Sequence, residues 1–184
     1  MGNLTLISKK TLIGFEEFLS WEKFQFPTGI YKSLRGEFYL SFINPIFEDI
    51  FLSKEVSGRI KLPENFVIEK YHLSQPASCI EMRSEVGLKR AFTMKTFLAS
   101  IWSLLYEQGK NFSEENFIQE NRLYLFPVEY HYGDYMTASV MFCGDGSWSI
   151  NIHPQKLAPY REGDTWSVSS EEGRGTYLLV PVID

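Results

Sequence analysis

Residues 93 to 109, TMKTFLASIWSLLYEQG, constrain the fold of this chain more than any other segment. Apolar side chains would cover most of the circumference of a helix built from them, and a helix that is apolar on nearly all sides is a buried one. Thr93 is a suitable N-cap, and Gly109 is placed to end the helix in a left-handed conformation. We therefore expect this helix to lie against the inner face of a sheet, at the centre of the core.

Most of the remaining chain alternates between apolar and polar residues, which is typical of strands. The predicted strands cover residues 3–8, 36–44, 58–62, 66–73, 78–84, 122–132, 135–143, 147–153, 165–170 and 176–183. Two short helices are expected before the central one. The first covers residues 15–24, and the second covers residues 44–55, where Asn44 is the N-cap and Pro45 the first helical residue.

The predicted fold class is α+β. A mostly antiparallel β-sheet, ending in a C-terminal meander, packs on the buried central helix and on one or two short N-terminal helices. One domain is expected over residues 1–184. It consists of an N-terminal mixed α/β part (1–92), the central helix (93–109) and a C-terminal antiparallel β part (122–184).

Charge and composition exclude several classes of protein. A net charge of -5 and a pI near 5.3, without a nucleic-acid motif, argue against nucleic-acid binding. The longest apolar run, FLASIWSLLY, is shorter than the roughly 20 residues that span a bilayer, and the amino terminus lacks a signal core. A soluble cytoplasmic protein that does not bind membranes is therefore expected. Cys79 and Cys143 lack the spacing of a metal site, and whether they form a disulfide stays open.

The C-terminal part contains two hairpin turn signals, Gly133-Asp134 and Asp145-Gly146. If each is a two-residue turn, Glu129, Ala138 and His153 lie in one row across three strands. The same register predicts which residues share that face of the sheet: Glu129, His131, Met136, Ala138, Val140, Phe142, Ser149, Asn151 and His153. The opposite face, which includes Val128, Tyr135, Thr137, Ser139, Cys143, Ile150 and Ile152, is expected to pack on the core.

Glu129, His131 and His153 form the candidate catalytic cluster in this register. A carboxylate and two imidazoles above a small residue could act as general base and acid near neutral pH. No cofactor is predicted, although these residue types could also hold a divalent metal. In the alternative interpretation the two histidines only cap the edge of the sheet and Glu129 is solvated. A thiol enzyme is not expected, because Cys143 falls on the opposite face from both histidines.

The leading functional interpretation is a small acidic protein-binding module without catalytic activity, such as an inhibitor, an immunity-type protein or an adaptor. Negative charge steers such a module toward a basic protein partner, and the 16% aromatic content suits an interface. The expected contact residues are Tyr132, Tyr135, Tyr160, Trp166, Glu171 and Glu172. The alternative is a hydrolase-like acid-base or metal-dependent enzyme that uses Glu129, His131 and His153. The third interpretation is a carrier of a small apolar ligand.

Overall fold

The computed structural model describes the chain in ten segments. They are residues 2–19, 29–33, 36–43, 58–108, 117–119, 121–129, 135–142, 147–154, 165–166 and 175–182.

Short strands and two helices make up these segments. The strands are β1 (Leu4–Leu12), β2 (Phe15–Leu19), β3 (Gly29–Ser33), β4 (Gly36–Ile43), β5 (Gly58–Leu62), β6 (Phe66–Leu73), β7 (Ala77–Ser78), β8 (Phe92–Thr93), β9 (Leu123–Glu129), β10 (Tyr135–Phe142), β11 (Ser147–Pro154), β12 (Thr165–Trp166) and β13 (Thr176–Pro181). The helices are α1 (Cys79–Val86) and α2 (Met94–Gln108). The predicted α+β class is thus confirmed as a mostly β structure with two described helices. None of the described helices is long and apolar enough to cross a membrane.

Among the described residues, nine strands form one sheet in the order β1-β6-β13-β9-β10-β11-β4-β3, with β8 beside β9. Two small sheets pair β12 with β7 and β2 with β5. The prediction of an antiparallel sheet is only partly right, because β13 and β8 both run parallel to β9, and β11 runs parallel to β4. The meander β9-β10-β11 is antiparallel, as predicted. The last strand, however, inserts between β6 and β9 instead of extending the meander.

The two faces of the main sheet carry separate hydrophobic clusters. Successive residues of a strand point to opposite faces, so Tyr124 and Phe126 pack toward α2 while Leu125 packs toward α1. The larger cluster includes Ile68, Phe92, Phe97, Leu98, Ala99, Ile101, Leu104, Tyr124, Phe126, Val128, Ala138 and Val140. The smaller cluster includes Leu73, Ala77, Met82, Leu125, Leu178 and Val180. The sheet is therefore a middle layer between the two helices.

Helix α2 confirms the prediction of a buried central helix. Thr93 is its N-cap, since its Oγ1 accepts a hydrogen bond from the backbone N–H of Thr96 at 3.1 Å. Phe97 is fully buried and meets the ring of Phe126 edge-on, with 5.3 Å between ring centroids. Gly109, the predicted end of the helix, lies outside the described residues.

Two local predictions were wrong. Phe15–Leu19 forms strand β2 rather than a helix, because it pairs with β5 over its whole length. In the strand predicted over residues 78–84, residues 79–84 belong to helix α1 instead. Ser78 caps that helix in a capping box, in which its hydroxyl accepts from the Glu81 N–H and the Glu81 carboxylate accepts from the Ser78 N–H. The helix predicted over 44–55 lies outside the described residues.

Arg90 ties the loop after α1 to the sheet. Its Nη2 lies 2.5 Å from Oε2 of Glu69, and its Nε donates to the carbonyl of Pro181 at 3.0 Å. Glu69 also receives a hydrogen bond from the Tyr71 hydroxyl at 2.7 Å and an ion pair from Lys9 at 2.6 Å. This buried carboxylate therefore joins β1, β6 and the loop through three donors.

Candidate functional site

Helix α1 and strand β10 bring a thiol, a guanidinium, a phenol and a hydroxyl together. Cys79 and Arg83 are four residues apart on the helix and so project from one face of it. One helical turn rises about 5.4 Å, close to the roughly 6.8 Å between alternate residues of a strand. Cys79 consequently reaches Thr137 while Arg83 reaches Tyr135. We call Cys79, Arg83, Glu129, Tyr135 and Thr137 the α1–β10 cluster.

Two contacts define this geometry. The Thr137 hydroxyl donates to Sγ of Cys79, with 2.8 Å between oxygen and sulfur. The guanidinium carbon of Arg83 lies 3.4 Å from the centroid of the Tyr135 ring. Cys79 is a thiol rather than half of a disulfide, and both Cys79 and Tyr135 are half-buried. The cluster is thus partly accessible from its thiol and phenol sides.

Arg83 has a hydrogen-bond donor that no described residue accepts from. Its side chain is buried, with 6% of the residue exposed, and its Nη2 donates to the carbonyl of Leu88 at 2.5 Å. Its Nε is buried without a hydrogen-bond partner among the described residues. A buried donor without an acceptor costs roughly 1–3 kcal/mol, and more when it is charged. The cluster therefore contains a positively charged side chain whose Nε–H group makes no hydrogen bond to the described residues.

The surroundings of Arg83 act on its charge in opposite directions. Burial is the largest influence and lowers the pKa of Arg83 below its ordinary value. The Tyr135 phenol, the Cys79 thiol and the Glu129 carboxylate act the other way, toward a higher pKa. No ion pair joins Arg83 to a carboxylate in the described segments. Among the described residues, its positive charge is balanced at a distance rather than by contact.

Strand register places Glu129 and His153 differently from the prediction. Glu129 pairs with Tyr135 rather than with Ala138, a displacement of three residues. His153 pairs with Thr137 rather than with Ala138, a displacement of one. The predicted row of Glu129, Ala138 and His153 is therefore not formed. Glu129 and His153 instead pair with Tyr135 and Thr137, which are two residues apart on β10, from opposite sides of that strand.

The displaced register also corrects the predicted faces. Both displacements are odd, and a shift by an odd number of residues moves a strand's side chains to the other face. Met136, Ala138 and Val140 consequently join Val128 in the hydrophobic cluster under α2. The predicted turn at Gly133-Asp134 lies outside the described residues, and the pairing of Glu129 with Tyr135 differs from the register that a two-residue turn there would give.

The remaining predicted site residues fall in different places. Trp166 lies in β12, where its backbone pairs with Ala77, next to the N-cap of α1. The others lie outside the described residues: His131, Tyr132, Tyr160, Glu171 and Glu172. The structure thus brings Glu129 and Tyr135 together, with His153 one strand away. Their functional roles stay predictions.

The sequence analysis did not propose Cys79, Arg83 or Thr137 as site residues. The pattern Ser-x-x-Glu at Ser78–Glu81 is a sequence signal for a helix start, and it would have placed Cys79 and Arg83 on one helical face. In the described part of the chain, no three His, Cys, Asp or Glu side chains are grouped so that they could hold a metal ion.

Lys70 is a second buried cation, on the α2 face of the sheet. Its Nζ donates to the carbonyl of Phe117 at 2.9 Å and lies 4.9 Å from the centroid of the Phe117 ring and 5.4 Å from that of Tyr177. Burial lowers the pKa of Lys70 below its ordinary value. Because one carbonyl and two rings surround this ammonium group, Lys70 is a packed core residue separate from the α1–β10 cluster.

In the described part of the chain, strand β1 is an edge of the main sheet, and it exposes large apolar side chains. In the described segments its strand neighbour is β6. Leu6 and Ile7 are 45% and 53% exposed, and the register shifts between Leu6 and Ser8. Native edge strands usually carry charges or irregularities that discourage pairing. Here the charged residues Lys9 and Lys10 follow the shift, and the stretch before it is apolar and uncharged.

A comparison of this chain with protein-family models, curated proteins and solved structures gives no significant match.

Proposed function

We propose that this protein is a binding module without catalytic activity, and that it holds a protein partner along the edge strand β1. One observation carries the proposal: β1 is the last strand of the sheet in the described part of the chain, and it exposes Leu6 and Ile7 to solvent over an uncharged stretch. Large apolar side chains that stay exposed at a sheet edge mark a surface for another chain.

The expected mode of recognition is addition of one extended partner segment to β1. Main-chain hydrogen bonds supply affinity in such complexes, and alternate side chains supply specificity. Strand β1 has nine residues, which is long enough for a partner strand of ordinary length. Leu6 and Ile7, which lie at the register shift of β1, would contact apolar residues of the partner.

Charge supports a basic partner. The chain carries a net charge of -5, which attracts basic proteins over several ångströms before contact. Lys9 does not oppose this attraction strongly, because its ammonium group is paired with Glu69 at 2.6 Å. Long-range attraction and apolar docking at β1 would therefore act in sequence.

The test uses tagged protein in its native lysate. Wild-type protein should recover a stoichiometric partner, and Ile7→Lys should weaken that complex by about tenfold or more, as expected for a contact residue at an interface. Ile80→Lys is the matched control, since Ile80 is 46% exposed but lies on α1. It should leave the affinity unchanged. Failure to recover any partner, or equal loss in both variants at unchanged thermal stability, would contradict the proposal.

A hydrolase-like acid-base enzyme that uses Glu129, His131 and His153 is the second proposal. It is favoured by the register, which pairs Glu129 with Tyr135 and His153 with Thr137, two residues apart on the strand β10 between them. In that case His153→Ala should abolish a hydrolytic activity and change the free energy of unfolding by less than about 0.5 kcal/mol. An equal loss of stability and activity would indicate a structural histidine.

A further inference from the structure

We propose that Glu85 selects the segment that binds along β1: the added strand carries a lysine or an arginine at the end that lies beside Leu4. This selection rests on the binding function proposed for β1 and specifies the chemistry of the bound segment. Glu85 lies on helix α1, so the residue that determines specificity lies outside the strand that is recognised.

The hydrogen bonds of β1 show which of its backbone groups face a partner. The carbonyl of Asn3 accepts from the N–H of Ser74 at 2.8 Å, so the backbone groups of Asn3 face β6. Because successive residues of an antiparallel strand turn their backbone groups alternately toward and away from the neighbouring strand, those of Leu4 and Leu6 face away from β6. An added strand would form its main-chain hydrogen bonds on that side.

Glu85 occupies the start of this outward-facing side. Its Oε1 accepts from the N–H of Asn3 at 2.8 Å, and its Oε2 accepts from the N–H of Leu4 at 3.0 Å. A Cβ atom built on Gly2 would lie 2.8 Å from Oε2, so the carboxylate lies directly against the backbone that leads into β1. An added strand can therefore pair with Leu6, but at Leu4 it meets a carboxylate.

The Glu85 carboxylate can still bind a cation. A carboxylate offers about four acceptor positions, and the two backbone N–H groups use two of them. Glu85 is exposed, and among the described residues no lysine or arginine forms an ion pair with it. Lys9, the basic residue of β1 that follows the exposed apolar stretch, is paired with Glu69 instead. A basic side chain of the partner would therefore find an accessible acceptor beside Leu4.

These positions define a bound segment with two kinds of side chain. It is apolar where it lies along Leu6 and Ile7, which are exposed and uncharged, and basic where it reaches Glu85. A basic end also agrees with the net charge of -5, which attracts positively charged partners. Glu85 thus turns a general attraction into a requirement at one position of the segment.

Two synthetic peptides provide the test, each a run of alternating valine and threonine that can add to β1 as a strand. One peptide has lysine at both ends, so that a lysine reaches Leu4 in either strand direction, and the other has glutamine at both ends. Amide chemical shifts of the ¹⁵N-labelled protein follow each titration and report both the binding position and the dissociation constant. The ratio of the two dissociation constants measures the preference for lysine.

Glu85→Gln should lower the preference for the lysine peptide by about threefold, the effect of one exposed ion pair. Glu64→Gln is the matched control, because it removes the same charge from the turn before β6, beside the other end of β1. It should retain the preference of the wild-type protein. The general attraction by net charge is the same in both variants, so the difference between them reports the position of the carboxylate.

A measurement on the wild-type protein covers the case in which Glu85→Gln disturbs α1. Added salt should weaken binding of the lysine peptide and leave that of the glutamine peptide nearly unchanged, because exposed charges are screened. Equal affinities of the two peptides, or equal preferences in Glu85→Gln and Glu64→Gln, would overturn the role of Glu85 and leave the binding function of β1 standing. If neither peptide shifts the β1 amides, strand addition at β1 is itself contradicted, and the role of Glu85 with it.

Discussion

Glu69→Gln is expected to lower the free energy of unfolding at pH 7 by about 3 kcal/mol. The carboxylate of Glu69 is buried and accepts from Arg90 and Tyr71 while it pairs with Lys9. An amide of the same shape keeps the packing but removes the negative charge. Arg90 would then be left beside the sheet with its positive charge uncompensated, which is the costly part of breaking such a pair.

The effect should depend on pH in a defined direction. Burial alone would raise the pKa of Glu69, but the hydrogen bonds from Lys9, Tyr71 and Arg90 outweigh burial and lower that pKa to about 2. A carboxyl whose pKa in the folded protein lies below its ordinary 4.5 adds stability that is fully present above that value. This stability is lost as the pH falls toward 2, so the difference between wild type and Glu69→Gln should shrink over that range.

Urea denaturation at several pH values between 7 and 2.5 would measure both expectations. Glu64→Gln is the control, because Glu64 is an exposed glutamate in the turn before β6. Its free energy of unfolding should differ from that of wild type by less than about 0.5 kcal/mol at every pH. A difference for Glu69→Gln that stays constant down to pH 2.5 would mean that the ion pairs do not carry the stabilisation.

Local patterns were sufficient for the elements whose hydrogen bonds are local or whose periodicity is strong. The apolar circumference of residues 94–108 indicated a buried helix, and Thr93 was recognised as its cap. Alternation located β6, β10 and β11 to within a few residues. At Phe15–Leu19 the same reasoning failed, because five residues with apolar side chains at both ends fit a helical turn and a strand equally well.

Strand order and register could not be predicted, because neither depends on local sequence. Tyr177 stacks on Tyr124 with 5.4 Å between ring centroids, although more than fifty residues separate them in the chain. Nothing in the segment around Tyr177 specifies a position between β6 and β9. The turn signal at Gly133-Asp134 likewise predicted a register that burial of Met136, Ala138 and Val140 overrides.

In the candidate site, too, residues that are close in the sequence could be grouped together, and contacts between distant segments could not be predicted. Glu129 and Tyr135 were chosen from one hairpin but predicted on opposite faces of the sheet, and the structure pairs them directly instead. Cys79 and Arg83 join them from a helix about fifty residues earlier in the sequence. Recognising α1 as a helix would have paired these two residues with each other. Their contact with Thr137 and Tyr135 still required the packing of α1 on β10, which only the fold supplies.

Phe97→Ala is expected to lower the free energy of unfolding by about 4 kcal/mol, because truncating a buried Phe removes its apolar burial and leaves a cavity. Phe97 is fully buried and packs edge-on against Phe126, whose ring contacts that of Phe92 with 5.6 Å between centroids. These three rings connect α2 to β8 and β9, so the sheet cannot collapse into the cavity without moving the helix. The midpoint of thermal unfolding should fall by roughly 8–16 °C for a domain of this size.

Lys95→Ala separates the effect of packing from that of helix formation, because Lys95 is exposed on the same helix. Alanine is the best helix former, so this control should leave the midpoint within about 2 °C of wild type. Calorimetry of both variants distinguishes the outcomes. A large loss in Phe97→Ala alone means that α2 stabilises the fold through its contacts with the sheet. Equal small changes in both variants would mean that the neighbours of Phe97 fill the space that its ring leaves.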